Sequence, residues 1–227
     1  MMNYLKTMWR DQKGFLLFLG LMFVFRSAVA DWNYVPSSSM NPTLVQGDRV
    51  VVNKLAYSLR LPFSLHHLVR WGAPGRGDVI TFDSPKDDVN LIKRVIAVSG
   101  DVIAMHDNTL TINGKAVDRR LVAASRLIPS EMGLLDAEIW HEQLGSAGFE
   151  TARLVAQNRY RDFDAVRVPD GHVLVLGDSR DNSNDSRFIG FIDIGRVTGR
   201  AVRVVMSHDP QTLFLPRSGR WWLPLSS

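Results

Sequence analysis

Short aliphatic runs punctuated by glycine- and asparagine-centred turns are what most restrict the folding of this chain. Gly47-Asp48 leads into Arg49-Val50-Val51-Val52, Asp78 to Phe82 forms a second run, and Leu91 to Val98 a third. Asn113-Gly114 separates Thr109-Leu110-Thr111-Ile112 from Lys115-Ala116-Val117, a strong hairpin signal because both turn residues tolerate positive φ. Pro169-Asp170-Gly171 turns into His172 to Leu176, and Arg200 to Met206 reads as the strand that closes the sheet. Helical periodicity is scarce, so residues 33–227 are expected to form one mostly β domain, and 227 residues suffice for a real core. Residues 118–168 read as an insert rich in charge, with a predicted helix from Ser130 to Leu144 and no motif to which a function attaches.

The N-terminus differs in kind. Gly14 to Phe25 is almost wholly apolar, preceded by Lys6, Arg10 and Lys13 and closed by Arg26. Twelve residues fall short of the roughly 20 that cross a bilayer core, but a span over 14–32 is reached if Arg26 snorkels. The positive charges would then hold 1–13 in the cytoplasm and place the remainder outside. The alternative is a cleavable signal peptide, since Ala28-Val29-Ala30 is a small-residue site after an apolar stretch. Leu59 to Pro74 mixes Leu61, Phe63, Leu65, Leu68 and Trp71 with basic residues, and reads either as a loop on lipid headgroups or as one packed on the domain. The 27 basic residues exceed the 23 acidic ones only mildly and are not interleaved with aromatics, which argues for membrane lipid rather than nucleic acid as the anionic partner. No cysteine is present, which excludes disulfides, thiol nucleophiles and thiolate metal sites.

The chemistry-bearing residues lie in three places. Ser39, within Pro36-Ser37-Ser38-Ser39-Met40-Asn41-Pro42, is a candidate nucleophile. Lys93, within Leu91-Ile92-Lys93-Arg94-Val95-Ile96, is a candidate base. A serine hydroxyl needs a neighbour to take its proton, and a lysine can do so only where burial lowers its pKa from about 10.4. Half-neutrality near pH 7.5 requires a shift of about 3 units, or roughly 4 kcal/mol. The bland alternatives are a solvated serine turn and a guarding charge on an edge strand. Arg94 cannot replace Lys93, because a guanidinium does not deprotonate in proteins, and alternation puts it on the opposite face. Gly177 to Arg187 is dense in aspartate, arginine and serine; as a calcium loop starting at Asp181 it lacks the glycine and the final glutamate.

These blocks resemble bacterial signal peptidase I, a membrane-anchored Ser-Lys protease family. Ser39-Met40-Asn41-Pro42 matches its nucleophile motif, Ile92-Lys93-Arg94 its base strand, and Gly177 to Gly190 its C-terminal signature. The resemblance implies a signal-peptidase or LexA-like β fold behind one N-terminal transmembrane helix that is retained. It implies attack by Ser39 after A-x-A sequences of exported preproteins, with Lys93 as base and neither metal nor cofactor. It places the enzyme in the inner membrane, with the catalytic domain on the periplasmic face. Ser37 and the Ser39 N–H would serve as oxyanion donors, each contributing about 3 kcal/mol to the transition state. Ser183 would orient the lysine and Asp185 would pair with Arg187, and from the residues themselves Asp178 is a candidate partner for Arg94. Val35, Pro36, Met40, Leu44, Leu91 and Ile92 would line shallow apolar substrate pockets. Ser38 departs from the glycine frequent in the family. The rival readings are a LexA-type autoprotease switch, disfavoured by the apolar segment and the missing DNA-binding domain, and a catalytically inactive membrane-tethered binding module, disfavoured by intact Ser39 and Lys93.

Overall fold

The computed structural model describes the chain except for Met1, Pro62, Phe63, Leu65, 156–161, Gln211, Phe214, Ser226 and Ser227, with residues 2–11 and Phe25 described by backbone alone. Helix α1 (Met2–Ala28) carries the apolar segment, with Phe15, Leu17, Phe18, Leu21 and Phe23 all exposed. Among the described residues no helix is both long and apolar enough to cross a membrane. The segment also ends earlier than the expected boundary at Trp32. Strand β1 (Ala30–Tyr34) pairs antiparallel with β2 (Asp48–Asn53), Ala30 opposite Asn53 and Trp32 opposite Val51, so sheet pairing captures the last residues assigned to the anchor.

Two short strands, β3 (Ser58–Arg60) and β4 (His67–Arg70), form a hairpin within the Leu59 to Pro74 segment; Leu61, Leu68 and Trp71 are exposed there, while Phe63 and Leu65 lie outside the described residues. The main sheet continues with β5 (Val79–Asp83) and β6 (Asn90–Val98). The predicted Asn-Gly hairpin forms within a second sheet made of β7 (Val102–His106), β8 (Thr109–Ile112) and β9 (Lys115–Ala116), with Asn113 and Gly114 both at positive φ.

The insert is a three-stranded antiparallel sheet of β10 (Asp118–Ser130), β11 (Gly133–Leu144) and β12 (Ala147–Leu154). The helix expected from Ser130 to Leu144 is therefore a tight turn followed by a strand. Leu, Ala, Glu and Gln give this stretch helical propensity. Pairing β11 on both sides, with Ala137 and Ile139 fully buried, outweighs that local preference. Strand β13 (Phe163–Arg167) adds to β7; β14 (His172–Leu176), the single-turn helix α2 (Ser186–Ile189), β15 (Ile192–Asp193) and β16 (Val197–Asp209) follow.

The main sheet runs in the order β1-β2-β16-β5-β6-β14-β15. The strand that carries Arg200 to Met206, expected to close it, sits instead in its interior, because β16 is long and bulged: residues 197–200 pair with β5 and 200–207 with β2, while Arg203 and Val204 also pair with 223–224. β6 is an inner strand from Arg94 to Val98, and Lys93, just beyond that stretch, is 3% exposed, which removes the reading of it as a solvated guarding charge. Three apolar clusters meet this sheet, one containing Val35, Met40, Leu44 and Val50, another Ile80, Phe82, Val95 and Val175, and a third Ile96, Ile103, Met105 and Leu176. Full burial of each such side chain contributes about 1.5–3 kcal/mol.

The pairing of β6 is staggered. Residues 90–94 ladder onto β5, whereas 94–98 ladder onto β14, which ends at Leu176 opposite Arg94. One residue beyond the end of β14 stands Lys93.

Candidate active site

Ser39 is held by a segment rooted at both ends. Val35 exchanges backbone hydrogen bonds with Asp48 (2.9 Å) and Gly47 (3.0 Å), and Met40 and Leu44 plunge into the core, both fully buried. The Asn41 N–H donates to the Ser38 carbonyl at 3.0 Å. Ser37 and Ser39 share one side of this segment, with their hydroxyl oxygens 3.2 Å apart.

Lys93, paired with Ile80 across the sheet, is 3% exposed. Its Nζ donates to Ser39 Oγ at 2.6 Å and to the Ile92 carbonyl at 3.0 Å. Burial pulls its pKa down from 10.5 to about 8, against the opposing pull of the Asp185 and Asp178 carboxylates. A substantial fraction of this amine is therefore neutral in mildly alkaline water and lies within reach of a serine proton. The neighbouring Arg94 turns the other way, as alternation predicts. It forms a two-point pair with Asp178 (Nε to Oδ1 2.9 Å, Nη2 to Oδ2 2.7 Å) and donates to the Gly77 carbonyl at 2.9 Å.

The loop after β14 supplies the third side. Asp185 caps α2, accepts the Gly177 N–H at 3.0 Å and grips Arg187 at 2.8 Å through both carboxylate oxygens. Gly177 has no room for a side chain: a Cβ there would stand 2.3 Å from Ser183 Oγ and 2.4 Å from the Ser39 carbonyl oxygen. Ser183 lines the same cavity as Ser39 and Lys93, but its buried hydroxyl packs on Gly177 and makes no hydrogen bond to Lys93, whose described contacts go to Ser39 and Ile92.

Two hollows that share Ser37, Leu91 and Lys93 in their walls lie at the site. A cavity of about 450 Å³ is lined by Ser37, Ser39, Leu91, Lys93, Glu131 and Ser183, among others. A narrow one of about 60 Å³ runs between residues 33–37 and 90–93, with Val35, Pro36, Leu91 and Ile92 in its wall. Met40 and Leu44, expected as pocket residues, line neither; their side chains belong to the core beneath.

Residues 8–206 match the family model described as signal peptidase, peptidase S26. The chain belongs to the signal peptidase I family. It is 37% identical over 221 residues to a signal peptidase I of Pseudomonas fluorescens, covering 92% of this chain and 76% of that one. Signal peptidases I of Pseudomonas aeruginosa and Aquifex aeolicus are 34% and 32% identical, over 92% and 88% of this chain and 76% and 84% of theirs. Membership makes the protein a serine endopeptidase.

Around this peptidase site the insert supplies what the sequence reading passed over. Glu131, in the two-residue turn between β10 and β11, accepts the Ser38 N–H at 2.7 Å and the Ser38 hydroxyl at 2.6 Å, while Asn182 donates to the same hydroxyl at 2.7 Å. At the other end of the insert, Ala152 exchanges backbone hydrogen bonds with Asp178 (2.8 Å) and Arg180 (2.9 Å), and Glu142 pairs with the buried Arg180 at 2.5 Å. The sequence signal that could have pointed here is Ser38 itself, a polar side chain where glycine is frequent in the family, which needs a partner once buried.

Proposed function

We propose that this protein cleaves signal peptides from exported preproteins after small-x-small sequences, using Ser39 as nucleophile and Lys93 as general base. The observation that carries the reading is the 2.6 Å contact between Lys93 Nζ and Ser39 Oγ on a buried lysine with a depressed pKa. Ser39 Oγ attacks the scissile carbonyl carbon as its proton passes to Lys93 Nζ. The oxyanion is received by the Ser37 hydroxyl and the Ser39 N–H, which has no acceptor among the described residues. The resulting ammonium gives its proton to the leaving amine, so the C–N bond breaks and an ester to Ser39 remains. Water then attacks that ester, its proton going to Lys93, and Ser39 is regenerated. Ser183, with its unpartnered hydroxyl in the same cavity, would take over the Lys93 hydrogen bond while Ser39 is acylated. Asp185 and Arg187 fix the loop that carries it.

Among the described residues, 90–93 have an unpaired side where β14 has stopped, so a substrate backbone would lie extended along them and drop alternate side chains into the 60 Å³ hollow. That volume suits methyl-sized groups. The exposed apolar side chains of α1 support an N-terminal membrane anchor, with residues 1–13 on the cytoplasmic side and the catalytic domain at the outer face of the inner membrane.

The test is processing of a labelled preprotein by the purified full-length protein, with the new N-terminus sequenced. Cleavage after Ala at the residue before the cut should exceed cleavage after Phe by at least about 10²-fold, since a rigid small pocket must shift its walls to admit a ring. Equal rates would remove the pocket assignment. A second expected outcome concerns pH. Neutral Lys93 is the active form, so kcat/KM should rise with pH and level off above an apparent pKa near 8, the value burial gives this amine. A profile still climbing steeply through pH 10 would contradict a desolvated base.

A further inference from the structure

The serine that precedes the nucleophile is pinned from both sides. Its N–H and hydroxyl go to the two oxygens of Glu131, its carbonyl accepts from the Asn41 N–H, and its hydroxyl also accepts from Asn182. Ser38 is 1% exposed, although the glutamate reaching it stands on an exposed hairpin turn. That turn is itself braced: Ser130 Oγ donates to the Gly133 carbonyl at 2.8 Å and accepts the Met132 N–H at 3.1 Å, and the Pro129 carbonyl accepts Asn41 Nδ2 at 2.6 Å. The insert thus makes three hydrogen bonds to residues 38–41 across a sequence gap of about ninety residues.

Peptide groups are planar, so fixing one atom fixes its partners. The plane between Ser37 and Ser38 is held through the Ser38 N–H, and the plane between Ser38 and Ser39 through the Ser38 carbonyl, which points opposite to the Ser39 N–H. Holding Ser38 therefore aims the Ser39 N–H and fixes the backbone from which the Ser37 hydroxyl extends towards Ser39. Partial burial pushes the Glu131 carboxyl up, but the hydrogen bonds from Ser38 outweigh it and hold the group below the ordinary glutamate range. The carboxylate is ionised throughout the working pH range.

We infer that Glu131 is a positioning residue for acyl transfer, whose carboxylate clips Ser38 at two points and so sets the oxyanion donors flanking it. This makes the insert part of the catalytic apparatus. The inference rests on the Ser39–Lys93 reading above and deepens it.

The experiment is steady-state kinetics of the full-length protein with a preprotein substrate, comparing wild type, Glu131→Ala, Glu131→Gln, Ser38→Ala and the double variant Glu131→Ala/Ser38→Ala. Glu131→Ala should lower kcat about 10²-fold, the loss that follows a small misplacement of reacting groups, with KM within about threefold because ground-state binding is not what the donors serve. Glu131→Gln, which keeps one acceptor for the Ser38 N–H, should recover part of the loss. The double variant should be no slower than Glu131→Ala, since both remove one clip. The acidic limb of the pH profile should stay where it is in wild type, because the charges that act on Lys93 are those of Asp185 and Asp178. A Glu131→Ala enzyme with wild-type kcat, a loss carried by KM alone, or a loss that tracks a fall in melting temperature would overturn the inference. Ser39→Ala, run alongside, separates the two levels: if it still processes substrate the Ser-Lys reading has failed, whereas if it is inert and Glu131→Ala is fully active only the positioning role has.

Discussion

Ser39→Ala and Lys93→Met should each lower preprotein processing by roughly 10⁴-fold or more, because in the proposed mechanism nucleophile and base act as one unit. Lys93→Arg should be equally inert, since a guanidinium cannot accept the proton. The lysine variant carries a second, opposite signature. With a folded pKa of about 8 against 10.5, the unfolded chain binds the extra proton more tightly, so ionised Lys93 costs stability. That cost is full below about pH 8, amounts to about 3 kcal/mol at 1.36 kcal/mol per unit, and fades as pH climbs towards 10.5. Lys93→Met should therefore melt higher than wild type at pH 6.5, the gap closing in alkaline buffer, while processing nothing. An inert variant that melts lower at pH 6.5 would mean the lysine is structural.

The largest loss of stability is expected at Asp178→Ala. Arg94 and Asp178 are both about 2% exposed or less, the guanidinium lies 4.0 Å from the Phe149 ring centre, and Asp178 satisfies two of its nitrogens. Removing the carboxylate strands a buried cation, at a cost of about 3–5 kcal/mol, readable as a lowered urea midpoint by circular dichroism. Replacing both residues with apolar ones of similar volume should return most of that loss, because the pair's net contribution is small once neither charge is buried. Asp178 also pulls the Lys93 pKa upward, so in Asp178→Asn the acidic limb of kcat/KM should move to lower pH. A urea midpoint unchanged in Asp178→Ala would show that water or another group reaches Arg94.

The strands with strong local markers were legible in the sequence. Asn113-Gly114 and Pro169-Asp170-Gly171 carry their turn chemistry on their face, and the alternation of Lys93 and Arg94 correctly sends the two cations apart. What stayed hidden depends on distant partners. β11 is a strand because β10 and β12 flank it, and no window of its own residues reveals that. Arg200 to Met206 reads as a strand, but its interior position follows from pairing with residues more than a hundred positions earlier. Met40 and Leu44 fall at positions where the family resemblance implies pocket walls, yet both side chains are fully buried in a core cluster with Val35 and Val50. Glu131 contacts Ser38 across 93 residues, a relation no short motif encodes.

The staggered neighbours of β6 give that strand two mechanical regimes. From Arg94 to Val98 its amides and carbonyls are locked between β5, the turn before it and β14, while from Asn90 to Lys93 one flank has no ladder among the described residues. Lys93 stands at the joint. The proposed base is thereby carried just beyond a stretch of five residues laddered onto β14, at the start of a reach of chain that an incoming peptide could complete as a new neighbour. The length of β14, which ends opposite Arg94, thus sets where two-sided pairing of β6 stops and a flank open to another strand begins.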